Sequence, residues 1–230
     1  MVNTILGVKI DDINMSEALE IVRGWMKSDK KHYIVTPNPE FIMSAQRDLE
    51  FREILNKADL KLPDGVGLKL AGVKNIIPGV DFMEKLCLEA SVKGWKVGFF
   101  GGRDSVAQKS AEILKQKYPG LNVVFVDESS PAPYMVQDRN DREVDILFVG
   151  LGHGKQERWI VRNMDKVNSK VFMGVGGSFD YISGKIPRAP VFIRELGFEW
   201  LFRLVIQPWR IKRQVALLKF AWCLLFVQKT

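Results

Sequence analysis

Cysteine is nearly absent: Cys87 and Cys223 are the only two, and they share no short-spaced motif. That excludes a disulfide scaffold and a cysteine-rich zinc site, and it sets the expectation of a reducing compartment. Histidine is equally scarce, with His32 and His153 alone, which leaves too few ligands for a histidine-rich metal centre. No G-x-G-x-x-G follows a strand, no G-x-x-x-x-G-K-[ST] occurs, and no Asp-x-Asp triplet is present. The dinucleotide fingerprint and the P-loop are thereby missing, as is the carboxylate pair that commonly holds a metal on a nucleotide diphosphate. A leaving diphosphate would then be neutralised by backbone N–H groups and by arginine or lysine. Long apolar runs are lacking too. The start at Met1–Thr4 shows none, so no cleaved signal peptide is expected. The stretch Val215–Val227, apolar except for Lys219, is shorter than the roughly twenty residues that a bilayer span needs.

What is present is a core and a charged tail. The 230 residues are 47% hydrophobic, enough for one large α/β domain with a modest appendage. Nine basic residues and two acidic ones lie from Lys185 onward, so that segment carries the whole net charge of +7, while the remainder balances at twenty-five of each sign. A polyanion or an anionic membrane surface is therefore expected at the C-terminus and not over the main domain.

Short apolar runs alternate with helical periodicities. Strands are expected at His32–Val35, Asp59–Leu62, Trp95–Phe100, Leu121–Val126, Val144–Val149 and Lys170–Val175. Helices are expected from Ser16, a candidate cap, to about Lys27, over Glu40–Lys57 in two pieces, and over Gly79 to about Val92. Further helices fall at Val106–Tyr118 and Gln156–Met164. Strands that are apolar throughout and separated by helices indicate a parallel sheet covered on both faces. The expected fold is a Rossmann-like α/β domain over residues 1–190, with a basic helical appendage over residues 191–230.

The strands end in glycine, proline or polar clusters: Thr36–Asn38, Asp64–Gly67, Gly101–Arg103, Gly150–Gln156 and Gly174–Asp180. Ligands of open parallel sheets bind at this edge, where loops face helix N-termini. One such glycine is ordinary turn chemistry, but five clusters on one edge favour a nucleotide or sugar-phosphate site, with Gly101, Gly152, Gly176 and Gly177 at the close approaches. Asp64 is the candidate general base, held between Pro63 and Gly65 at a strand end; the plainer alternative is that it caps the helix expected over Val66–Val73. Lys155 and Gln156 open a helix after Gly152-His153-Gly154, and His153 reads as a loop histidine.

Several motifs occur in a fixed order. They are Thr36-Pro37-Asn38-Pro39-Glu40, Pro63-Asp64-Gly65-Val66-Gly67, Gly152-His153-Gly154-Lys155-Gln156-Glu157 and Gly174-Val175-Gly176-Gly177-Ser178-Phe179-Asp180. Arg188-Ala189-Pro190, Leu196–Leu201 with Arg203, and Pro208-Trp209-Arg210 with Arg213 follow. As an ordered series covering nearly the whole chain, they resemble the WecG/TagA/CpsF glycosyltransferase family.

The resemblance implies a metal-independent, inverting transfer of a sugar, N-acetylmannosamine first among the candidates. The donor would be a UDP-sugar and the acceptor a polyprenyl-diphosphate-linked N-acetylglucosamine, in cell-wall or surface polysaccharide synthesis. It implies no cofactor. It makes Asp64 the base, places Thr36 and Asn38 in the sugar pocket, and sets Gln156 and Asp180 on the donor. Arg203, Arg210 and Arg213 would hold the diphosphate from the appendage. It also implies a cytoplasmic protein, peripheral on the inner face of the cell membrane. Two departures stand out: Ile76-Ile77-Pro78 precedes Gly79-Val80-Asp81 where the family often has an arginine three residues before the glycine, and Gly154 replaces a proline.

Arg210 and Arg213, three apart, are expected on one helix face. With Trp209 and Trp222 beside them, the apolar tail fits a helix lying in a membrane interface. The alternative is a helix packed on the main domain or on a second copy, with self-association masking its apolar residues. Two other functions fit parts of the chain: a nucleic-acid-binding module built on the basic tail, and a nucleotide-binding enzyme of other chemistry such as hydride transfer. The mixture of basic residues with a long aliphatic stretch suits lipid better than stacked bases, so no nucleic acid is expected.

Overall fold

A computed structural model describes residues 2–128 and 143–226, apart from the side chains of residues 212–214. The chain opens with an antiparallel hairpin, β1 (Val2–Ile5) and β2 (Val8–Asp11). Its two turn residues, Leu6 and Gly7, both have positive φ, the geometry that matches strand twist in a two-residue turn. This hairpin lies outside the expected elements. Helix α1 (Met15–Trp25) follows, and its cap is Asn14, not Ser16. The Asn14 side chain accepts from the Glu17 N–H while Glu17 accepts from the Asn14 N–H, a reciprocal pair that Ser16 has no acid to form.

The alternation then runs β3 (His32–Val35), α2 (Pro39–Ala45), α3 (Leu49–Lys57), β4 (Leu60–Lys61) and a 3-10 turn over Val66–Ala71. Next come α4 (Gly79–Lys93), β5 (Lys96–Gly101), α5 (Val106–Lys117), β6 (Asn122–Asp127), β7 (Val144–Gly150), α6 (Lys155–Asn163), β8 (Ser169–Gly174) and α7 (Ser178–Ile182). The six strands form one all-parallel sheet in the order β4-β3-β8-β7-β5-β6. Period-2 alternation feeds two separate cores. Ile34, Phe99, Phe148 and Met173 point to the face covered by α1, α4, α5 and α7. Val35, Phe100, Val149 and Phe172 point to the face covered by the hairpin, α2, α3 and α6. The mixed α/β fold is the Rossmann-like arrangement expected from the alternation.

Beyond α7 lie α8 (Val191–Glu195), α9 (Glu199–Ile206), a 3-10 turn over Pro208–Arg210, and α10 (Ile211–Phe226). Pro208 ends α9, as a missing N–H requires. Arg210 therefore closes a 3-10 turn and does not share a regular helix with Arg213, whose side chain is outside the described residues. Helix α10 packs on α2, and Phe220 is fully buried with Leu217 and Leu224 beside it. The opposite stripe, Val215, Leu218, Trp222 and Leu225, is exposed. Of the sequence-based alternatives, packing on the main domain is the one observed, and α10 still presents an apolar surface. No helix among the described residues is long and apolar enough to cross a membrane.

Phe220 is the peg of this docking. Phe220→Ala is expected to cost about 3–5 kcal/mol, the usual loss for an emptied aromatic site. The cost should fall on α10, so a protease is expected to cut the variant within residues 211–226 under conditions where the wild type is intact. Equal cleavage of the two proteins would show that Phe220 is not what holds the helix.

Candidate active site

The sheet order fixes where a ligand fits. From β5 the chain leaves through α5 toward β6, and from β7 it leaves through α6 toward β8, in the opposite direction. Loops that diverge in this way leave a crevice beyond the strand ends. Gly102 N–H donates to the Gly150 carbonyl across it at 2.9 Å. A cleft of about 1420 Å³ opens here and runs to the ends of β3 and β4. Thr36, Asn38, Asp64, Gly152, Gln156, Gly176, Gly177, Asp180, Arg203 and Arg210 all line it. Gly101 does not: it is buried at the end of β5, where a Cβ would stand 2.8 Å from the Gly150 oxygen. Its positive φ and this close approach make it a packing glycine, and Gly102 is the one that faces the cleft.

Backbone bonds stitch the loop of Asp64 to its neighbours. Asp64 N–H donates to the Pro37 carbonyl at 2.9 Å, and Ile77 N–H to the Pro63 carbonyl at 2.8 Å. The Asp64 carboxylate does not cap the turn that follows it, which starts at Gly65 with no side-chain bond. It accepts instead from the N–H of Gly79, the first residue of α4. Burial pushes this carboxyl up to about 7, and the negative charges of Glu199 and Asp81 act the same way, against the Gly79 N–H and the Arg203 guanidinium. A group poised near neutrality, part-buried at a cleft floor, has the properties of a general base. Thr36 is buried beside it, so close to Gly79 that a Cβ there would meet the Thr36 methyl at 3.2 Å. Asn38 caps α2 through its side-chain oxygen, which accepts from Phe41 N–H at 3.0 Å.

Gln156 is almost fully buried and its amide is committed on both sides. The oxygen accepts from Gly176 N–H at 2.8 Å, and the Nε2 donates to Glu157 Oε1 at 2.7 Å. Glu157 Oε2 accepts in turn from Gly154 N–H at 2.8 Å. This relay ties the loop after β7 to the loop after β8. Burial pushes the Glu157 carboxyl up to about 7, against the hydrogen bonds that it accepts. His153 is a loop histidine, 3.0 Å from Ser44 Oγ and edge-on to Phe41.

The appendage supplies two cations that line the cleft, Arg203 and Arg210. The Arg203 guanidinium lies 4.6 Å from the centre of the Tyr181 ring, and its Nη2 is within 3.0 Å of where a Gly177 Cβ would be. Arg203 Nε and Arg210 Nη1 both donate to Gln207 Oε1, at 3.3 and 3.4 Å. Gln207 thus yokes the two arginines, a role that its own type does not advertise. Two further residues were missed from the sequence: Glu199, as a charge acting on Asp64, and Arg188, as its partner. Arg188 belongs to a recognisable tripeptide, but only the folded chain shows what it touches. Among the described residues, no group of three or more His, Cys, Asp or Glu side chains is placed to hold a metal ion.

A cleft-lining carboxylate of raised pKa, with Arg203 acting on it and Arg210 joined to Arg203 through Gln207, suits proton removal from an incoming hydroxyl as negative charge gathers on a leaving group. A profile of the "Glycosyl transferase WecG/TagA/CpsF family" matches residues 3–230. An N-acetylglucosaminyldiphosphoundecaprenol N-acetyl-beta-D-mannosaminyltransferase of Staphylococcus aureus (strain MRSA252) is 32% identical over 221 residues, covering 91% of this chain and 86% of that protein. The protein of the same name from strain NCTC 8325 / PS 47 is 31% identical with the same coverage. With the match spanning all the motifs that build the cleft, the chain belongs to the WecG/TagA/CpsF family and is a glycosyltransferase.

Proposed function

We propose that the chain transfers N-acetylmannosamine from a UDP-sugar to polyprenyl-diphosphate-linked N-acetylglucosamine, with inversion at the anomeric carbon and without a metal ion. The acceptor and the transferred sugar follow the activity for which the relatives are named. The observation that carries the mechanism is Asp64 at the cleft floor, its carboxyl raised to about 7 and faced by Arg203. Asp64 takes the proton of the acceptor hydroxyl as that oxygen bonds to C1 of the donor sugar. The bond from C1 to the UDP oxygen breaks, and its electron pair leaves with the diphosphate. One displacement by one base gives inversion.

Thr36 and Asn38 serve the sugar end, while Gly152, Gly176, Gly177 and Asp180 serve the donor phosphates, with Gln156 holding the Gly176 loop in place. Arg203 and Arg210 meet the departing charge, and a part for Arg213, whose side chain lies outside the described residues, rests on the family resemblance alone. The sequence carries no Asp-x-Asp triplet, so the diphosphate charge is assigned to these arginines. Residues 191–230 act as an appendage that meets the cytoplasmic face of the cell membrane, where the lipid-linked acceptor lies. The exposed Phe192, Leu196, Trp209 and Trp222, set among basic residues, favour this over a solvated surface.

The test is UDP release from a panel of UDP-sugars in EDTA, with the acceptor supplied either as a short-chain analogue or in anionic vesicles. Acceptor-dependent turnover with one donor is expected, together with a product of opposite anomeric configuration by NMR. Vesicles should raise the rate, and added salt should remove the gain. Absence of UDP release with every donor would sink the substrate pairing, and a retained configuration would sink the single displacement.

A further inference from the structure

We infer that Arg188 is a positioning residue that couples docking of α9 to the protonation of Asp64, by clamping Asp81 and Glu199 as the anionic flank of that carboxylate. The inference rests on the reading of Asp64 as the base. Arg188 lies between α7 and α8, far along the chain from Asp81. Its Nη1 donates to Asp81 Oδ1 at 2.5 Å and its Nε to Glu199 Oε1 at 3.4 Å. The Nη2 is buried with no hydrogen-bond partner among the described residues, so these two carboxylates supply its charged contacts.

The two anchors are not ordinary surface acids. Asp81 sits in the first turn of α4, whose first residue donates its N–H to Asp64. Glu199 opens α9, the helix that carries Arg203. A single guanidinium therefore ties together the two helix starts that bracket the base. The groups bearing on Asp64 are Asp81 and the Gly79 N–H from α4, Glu199 and Arg203 from α9, and Tyr181 from α7. The planar fork of arginine reaches two carboxylates in different directions, which a lysine ammonium does less well. Without the clamp, Asp81 and Glu199 would lose the guanidinium that bridges them, and repulsion among the three carboxylates would drive α9 outward with both Glu199 and Arg203. The base thus receives its full set of neighbouring charges only when α9 is docked.

The test is a double-substitution cycle read by the pH dependence of kcat/KM and by 13C NMR titration of the Asp64 carboxyl without substrate. Wild type, Glu199→Gln, Arg188→Met and the double variant are compared. Glu199→Gln should move the acid limb down by about one pH unit, as removal of a neighbouring like charge does. In the Arg188→Met background that displacement should vanish. Equal displacement in both backgrounds overturns the inference. If Arg188→Met does not fold by circular dichroism, Arg188→Lys takes its place, with a reduced displacement expected and an unchanged one counting against the clamp. An Asp64→Asn enzyme as active as wild type overturns the base reading separately. The NMR titration still decides the coupling, and an Asp64 midpoint indifferent to Glu199→Gln ends it.

Discussion

Asp64→Asn is expected to lower kcat about a thousandfold, within the range that a positioned general base contributes. The change keeps the shape and removes only the capacity to take a proton, so donor binding should change little. The pH profile carries a second signature. In wild type, kcat/KM should rise with pH through about 7 and level above it, because only the ionised carboxylate accepts the proton. The residual activity of the variant should lack that limb. Stability moves the other way. The folded-state pKa lies above the ordinary value, so wild type is at no disadvantage below pH 4 and is progressively destabilised as pH rises from there to 7. Asn has no proton to lose. The variant should match wild type near pH 4 and exceed it above pH 7 by on the order of a few kcal/mol, at roughly 2–4 °C of melting temperature for each. A variant that loses activity but melts with wild type at pH 8 would show that Asp64 is not a strained carboxylate.

Arg203→Ala should lower kcat by about 10²–10³, the typical loss when one donor to developing charge is removed. The donor KM should change much less, since the charge that Arg203 meets grows during bond breaking. Arg203 also holds the Asp64 carboxyl down, so its loss should move the acid limb to higher pH, opposite in sign to Glu199→Gln. Arg203→Lys should recover part of the rate without the stacking on Tyr181. A variant with full kcat and a raised KM would assign Arg203 to ground-state binding alone.

The sheet and the cleft were largely legible because short-range signals agree. Apolar runs of four to seven residues, each stopped by glycine or proline, mark β3, β5, β7 and β8 within a residue or two. The same punctuation marks the ligand edge. What was not legible depends on contacts between distant segments or on a choice between near-equal local options. Asn14 and Ser16 are both good caps, and only Glu17, three residues beyond Asn14, separates them. The clamp at Arg188 links residues 107 positions apart, and no periodicity records that. Gln207 gains its meaning only because Pro208 turns the chain and brings Arg203 and Arg210 to one oxygen. The tail presented apolar residues on opposite faces, and sequence alone does not say which face meets protein.

The strand that leads into Asp64 is the shortest in the sheet and forms one of its edges, with Leu60 and Lys61 in register with Ile34 and Val35 of β3. The strands β3, β8, β7 and β5 run through the middle of the two apolar cores, and the chemistry hangs beyond their ends. Substitutions in the loops after β3 and β4 break no ladder bond among β8, β7 and β5. Within this architecture, sugar preference is therefore open to change by loop substitution without weakening the frame that holds the molecule together.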